Sequence, residues 1–245
     1  MRDIDRYQRE YLANYGFERH MVRYRRKAVL KSLAQYPHRC MLEVGCGAEP
    51  LFEHFDDWDD YTIVEPGGEF AERARSLLPV GRNAAVVQSL IEDAGAALAG
   101  QRFDFIVLSS LLHEVSDPAT LLAAVRALSE TETVVHVNVP NARSLHNRLA
   151  VKMGLISDIF AQSPLAERMQ RTSTFDMARL MERVERSGFR VDSSGSYFLK
   201  PFTHGQLQQM LDDEIIDERV LDALFEMSSE YPDAGSELYV NMRKA

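Results

Sequence analysis

Between residues 39 and 140, five short apolar runs alternate with stretches of helical period, and no other feature restricts the fold as much. The runs are Cys40–Val44, Tyr61–Glu65, Ala84–Gln88, Phe103–Leu108 and Thr133–Val139. Gly45 stops the first, Pro66-Gly67-Gly68 the second and Pro140 the last. The segments between them, at about 49–57, 68–78, 92–99 and 117–129, read as helices. Strands that alternate with helices build βαβ units, hence a parallel sheet. Because the runs are continuously apolar rather than alternating, the sheet is expected to be covered on both faces.

The flanks are different. Residues 1–33 carry nine Lys/Arg against four Asp/Glu, although the whole chain has a formal net charge of −9. Their pattern predicts one or two amphipathic helices ending near Tyr36-Pro37, a cap over 1–35. The basic face is either a solvated helix surface or a helix that closes over an anionic ligand. After Pro140 the rhythm breaks, and 141–173 reads as a helical insertion, a lid. Residues 174–245 then complete the chain. They hold a helix over Thr174–Ser187 capped by Thr174, a strand over Phe189–Phe198, a helical piece over 203–228 and a last strand over Ser236–Met242 that pairs with 189–198. All 245 residues are read as one domain.

Composition excludes several functions. The acidic balance argues against a nucleic-acid partner, whose phosphates attract clustered positive charge. Two cysteines, Cys40 and Cys46, support neither a disulfide framework nor a zinc knuckle. The start, MRDIDRYQREY, has no apolar core, and no stretch reaches the ~20 apolar residues of a membrane span. The expectation is a soluble cytoplasmic protein with a small-molecule substrate, no membrane partner and no metal.

Three elements sit where chemistry is done on such folds. Leu42-Glu43-Val44-Gly45-Cys46-Gly47-Ala48-Glu49-Pro50 places an acidic residue near a strand's carboxyl end, followed by two glycines that let the backbone turn tightly and approach a ligand. The third glycine of a dinucleotide fingerprint is missing, and Glu43 and Glu49 suit a cationic ligand end better than a pyrophosphate. Glu65 closes the second strand, 22 residues after Glu43, where an acidic side chain can accept the hydroxyls of a ribose. The third element is Asp104–Pro118, a strand followed by a loop with His113 and a Pro-started helix.

Together these residues resemble the class I S-adenosylmethionine-dependent methyltransferases, especially the branch acting on small molecules, over about residues 39–140 and again in the strand-helix-hairpin end. The resemblance implies an α/β, Rossmann-like, seven-stranded, mostly parallel sheet with helices on both faces and a helical lid. It implies S-adenosylmethionine (SAM) as cofactor and S-adenosylhomocysteine (SAH) as its product. Glu43, Gly45, Cys46 and Gly47 match the family's loop at the methionine moiety; Glu65, with Pro66 beside it, matches the ribose-binding acid. Ser89 and Leu90 correspond to the adenine-contacting segment, where the Asp common in the family is absent. Ser109 opens the loop after the fourth strand. Glu49 stands where the family has its third loop glycine.

Methyl transfer asks mainly for alignment, plus proton removal when the acceptor is a hydroxyl. His113, on the loop expected to face the methyl group, is the first candidate base, and capping of the next helix is its structural alternative. His146, after the fifth strand at the same sheet edge, is the second; a helix-surface position is its alternative. His136 lies within a strand and reads as a core histidine. Arg23, Arg25, Arg26 and Arg143 make a carboxylate- or phosphate-bearing acceptor conceivable. No N-P-P-Y tetrapeptide or D-x-x-x-D-N cluster occurs, which disfavours amide methylation and a magnesium-assisted catechol mechanism. The expected activity is methyl transfer to a hydroxyl, or an amine, of a small metabolite. The alternatives are carbon methylation or another transfer, such as of an aminopropyl group, on the same scaffold, and a non-catalytic cofactor-binding or regulatory homologue. A nicotinamide-dependent oxidoreductase is disfavoured by the missing glycine.

Overall fold

In the computed structural model, which describes residues 4–13, 16–160 and 173–245, all the expected strands join one sheet. They are β1 (Cys40–Val44), β2 (Asp60–Val64), β3 (Asn83–Val87), β4 (Phe105–Ser109), β5 (Val134–Pro140), β6 (Phe189–Leu199) and β7 (Gly235–Lys244). Their order is β3-β2-β1-β4-β5-β7-β6. The first five are parallel, and β7 runs antiparallel between β5 and β6. The fold is therefore the seven-stranded, mostly parallel α/β architecture expected. Chain order reverses at β1, which has β2 on one side and β4 on the other. In open parallel sheets the crevice at the carboxyl ends of such strands is where ligands bind.

The continuous apolar runs are explained by two cores. Leu42, Val44, Ile106, Leu108 and Val137 point to one face, where they meet α4 (Pro118–Leu128) and α6 (Met177–Arg186) through Leu122, Val125, Leu180 and Val184. Met41, Ile63, Phe105 and Val107 point to the other, against α2 (Glu18–Leu33) and α3 (Gly68–Ser76). The edge strand β3 has no buried residue, and the other edge strand, β6, is buried only at its two ends.

The α-helical expectation fails at 49–57 and 92–99, which form only short 3₁₀ helices, Leu51–His54 and Ile91–Ala96. The first is bounded by Pro50 and Phe55, extended at ψ of 138° and 155°, with the Leu51 N–H held by the Glu43 carboxylate; in the second, Gly95 weakens propagation. α6 is capped by Asp176, which accepts from Arg179 N at 3.0 Å, and not by Thr174. Phe175 is held by a bridge to Asn141, with Ala142 N donating to its carbonyl at 2.8 Å, so the helix starts only after it. The piece at 203–228 divides into α7 (His204–Asp212) and α8 (Glu218–Glu226), with Glu214 left-handed at φ 56° between them. Of the expected insertion 141–173, α5 (Leu145–Lys152) is seen, and 161–172 lie outside the described residues.

The amino-terminal stretch forms α1 (Ile4–Ala13) and α2. Part of the basic face of α2 is turned to α8 instead of to a ligand. Arg23 and Lys27 pair with Asp222 of α8, and Arg23 also reaches Glu218. These pairs are part-exposed and each adds about 0–1 kcal/mol. The docking rests more on Tyr24, fully buried and stacked on Phe198 at 4.5 Å and Phe225 at 5.2 Å.

Candidate active site

The carboxyl end of β1 is built around a buried acid. Glu43 is 5% exposed and accepts from Tyr61 Oη at 2.8 Å and from Leu51 N at 3.1–3.2 Å. Burial pushes its carboxyl up to about 7, against the lowering effect of those hydrogen bonds, and Glu65 nearby raises it further. Gly45 and Gly47 then take φ of 75° and 57°, a backbone that side chains other than glycine rarely adopt. The turn brings Gly47 N to Glu65 Oε2 at 3.2 Å, while Gly67 N donates to Oε1 at 2.8 Å. Two backbone donors, with the Cys46 thiol 3.8 Å from Oε2, thus orient the Glu65 carboxylate at the end of β2. Cys46 is buried; burial and the two carboxylates hold its thiol protonated, so it is no nucleophile.

The loop after β4 is set by Asn138 of β5. Its Oδ1 accepts from Ser110 N at 2.8 Å, its Nδ2 donates to Ser109 Oγ at 3.1 Å, and Ser110 is held left-handed at φ 56°. Asn138 Nδ2 also meets His136 Nε2 at 3.2 Å, and His136 Nδ1 meets Asn241 at 2.8 Å. His136 is fully buried in this network, as its position in the strand predicted, and burial lowers it to about 4.

A cavity of about 220 Å³ joins the two loops. Of the residues singled out from the sequence, Glu43, Gly45, Cys46, Gly47, Glu65, Pro66 and Ser109 line it. Ser89 and the exposed Leu90 lie off its wall. So do both candidate histidines. The His113 ring is 2% exposed with Nε2 3.6 Å from Glu114 Oε1, and it is Glu114 that reaches the cavity. His146 has a buried Nδ1, and burial next to Lys200 lowers it to about 3. The sequence reading missed Glu114, Ser110 and the contributions of Gln8, Tyr11, Glu18 and His204 from distant segments. Glu114 and Ser110 each adjoin a residue that was singled out; the others carry no local pattern. Arg25 and Arg26 also line the wall, paired with Glu18 and Glu237 and with Glu49 respectively, while Arg143 is exposed and off it.

Residues 17–194 match the family described as a methyltransferase domain. The chain belongs to that family. No curated protein sequence matches it. Among solved structures, a SAM-dependent methyltransferase from Thermotoga maritima is similar at a TM-score of 0.61 and 17% identity, covering 98% of this chain and 99% of its own. A Haloferax volcanii protein solved with the Trm112 methyltransferase activator scores 0.61 at 12% identity, covering 97% and 96%. The plantazolicin methyltransferase BpumL, solved with SAH, scores 0.55 at 15% identity, covering 96% and 87%. The chain is thus a SAM-dependent methyltransferase of class I. Its crevice suits that cofactor: the glycine turn leaves room for close approach, since a methyl group on Gly47 would meet nothing within 4 Å, and an oriented carboxylate stands at the end of β2. Among the described residues, no group of three or more His, Cys, Asp or Glu is arranged to hold a metal, and no helix is long and apolar enough to cross a membrane.

Proposed function

We propose that this methyltransferase acts on a hydroxyl of a small metabolite, with an amine as the second acceptor class. The position of the cavity carries the reading. One cavity runs from Gly47 and Glu65 to Ser109, Ser110 and Glu114 beneath residues of α1 and α2, so cofactor and acceptor would share one pocket. The formal net charge of −9 agrees with an acceptor other than a polyanion.

In this reading SAM supplies an electrophilic methyl group. Glu43, Gly45, Cys46 and Gly47 hold its amino-acid end, Glu65 and Pro66 its ribose, Ser89 and Leu90 the edge of its adenine, and Ser109 lies beside the reacting centre. Glu114 takes the proton of the acceptor hydroxyl at its carboxylate. His113, 3.6 Å behind it, acts through Glu114 as a positioning residue that stabilises the charge. His146, held neutral by burial and lying off the cavity wall, takes no part in the proton transfer in this reading. The amino-terminal helices α1 and α2 serve as the lid that excludes water; the expected lid over 141–173 sends none of its described residues to the cavity.

The test is a screen of small hydroxylated and amine metabolites with the purified chain and SAM, read by mass spectrometry as SAH formed with one methylated product. Glu114→Gln is expected to cut kcat by 10²–10⁴-fold, the usual range for a general base, with SAH affinity within twofold of wild type. An unchanged kcat removes Glu114 from the chemistry. The Trm112-bound relative makes an activator protein a conceivable partner; turnover by the purified chain alone would show that none is needed.

A further inference from the structure

One buried amide at the cavity is unaccounted for. Gln8 lies on α1, 3% exposed, and lines the same cavity as Glu65 and Pro66. Its Nε2 is buried and has no hydrogen-bond partner. The amide sits directly over the end of β2. A methyl group added to Gly67 would lie 2.7 Å from Gln8 Nε2 and 2.9 Å from Glu65 Oε1, so the amide and the carboxylate converge on one small space from opposite elements. The absence of a side chain at Gly67 is what lets them do so. Tyr11, one turn further along α1, packs edge-on against Phe70 of α3 at 6.0 Å and fixes the helix over this point.

A buried N–H without an acceptor is unfavourable, and native structures rarely leave one so. The missing partner must be an acceptor, and it must tolerate a carboxylate next to it. A hydroxyl group does both: it donates to Glu65 and accepts from Gln8. A phosphate or carboxylate would be repelled by Glu65, and a cation would be repelled by the amide donors.

We infer that Gln8 and Glu65 form a two-sided clamp on the ribose hydroxyls of the bound nucleoside, with α1 contributing the donor and β2 the acceptor. The inference rests on the assignment of Glu65 to the ribose. It adds that cofactor binding strengthens the seating of α1, because the bridging hydroxyl satisfies the amide.

Calorimetric titration of the full chain tests it, using SAH and an SAH analogue that lacks both ribose hydroxyls. Gln8→Met keeps the length of the side chain and removes its donors. It is expected to weaken SAH binding roughly 5–10-fold, the effect of one neutral hydrogen bond, and to leave the affinity for the analogue within twofold of wild type. Gly67→Ala, which displaces the amide from the other side, is expected to lose SAH affinity selectively in the same way. The clamp is overturned if Gln8→Met binds SAH as wild type does, or if both ligands weaken equally. Failure of the underlying assignment looks different: Glu65→Ala would then bind SAH as wild type does, or wild type itself would give no heat with SAH. Melting temperatures without ligand within about 2 °C of wild type confirm that each variant is folded.

Discussion

At the scale of single residues, Glu43 shows how the site opposes stability. The carboxyl is raised from 4.5 to about 7 by burial, so folding favours its protonated form. Its contribution is therefore fully present below pH 4.5 and is lost as pH rises through about 7, a difference of roughly 3 kcal/mol across that window. His136 works in the opposite sense. Lowered to about 4, it stabilises the fold above 6.5 and ceases to do so as pH falls towards 4. Comparing Glu43→Gln with wild type at each pH cancels the histidine term. The variant is expected to gain stability relative to wild type from pH 5 to pH 8, by thermal or urea melts, and a flat difference would contradict the raised carboxyl. Glu43 was visible in the sequence from its place ahead of Gly45 and Gly47. Its partners Tyr61 and the Leu51 N–H were not, because nothing local says that a tyrosine on the next strand will turn back onto the acid.

Helices and turns follow their own signals where those signals are local. Asp117 before Pro118 caps α4 and Thr203 with Gln206 makes a capping box on α7. Gly188, expected just past the end of α6, takes φ 81° there. A methyl group at Gly188 would also stand 2.6 Å from Arg126 Nε, which donates to the Gly188 carbonyl at 3.2 Å and ties α4 to α6. Gly81 has a similar φ of 79° with open space around it. Gly188→Ala and Gly81→Ala thus share the same backbone strain, about 1–2 kcal/mol, and only the first adds a collision. Gly188→Ala is expected to lower Tm by at least 3 °C more than Gly81→Ala; equal shifts would mean that Arg126 yields freely. The misjudged segments, 49–57 and 92–99, have helical composition but are cut short by extended backbone at Pro50 and Phe55 or weakened by the internal Gly95. Composition records propensity, and here tertiary demand overrode it.

For the whole molecule, the cavity links segments that are far apart in sequence: α1 and α2, the β1 and β4 loops, and His204 at the start of α7. Ligand binding should accordingly stabilise the chain globally. SAH at 100 times its Kd is expected to contribute about 2.7 kcal/mol. For a chain of this size that is a Tm rise of roughly 5–10 °C in differential scanning fluorimetry. A rise confined to a minor early transition would mean that α1 and α2 melt apart from the sheet.

The order of strands and helices, the two-sided burial of the sheet and the glycine turn with its two acids are written in the sequence, because apolar periodicity and glycine placement act over a few residues. The histidines show the limit of that reading. His113 and Glu114 are neighbours in sequence, yet only the packed loop decides that the carboxylate faces the cavity while the imidazole lies behind it. Likewise α1 resembles any amphipathic helix until Tyr11 meets Phe70 and Gln8 meets Gly67. Contacts between segments 60 residues apart depend on how whole elements seat against one another, and that is set by the global packing of the core, which no local pattern encodes.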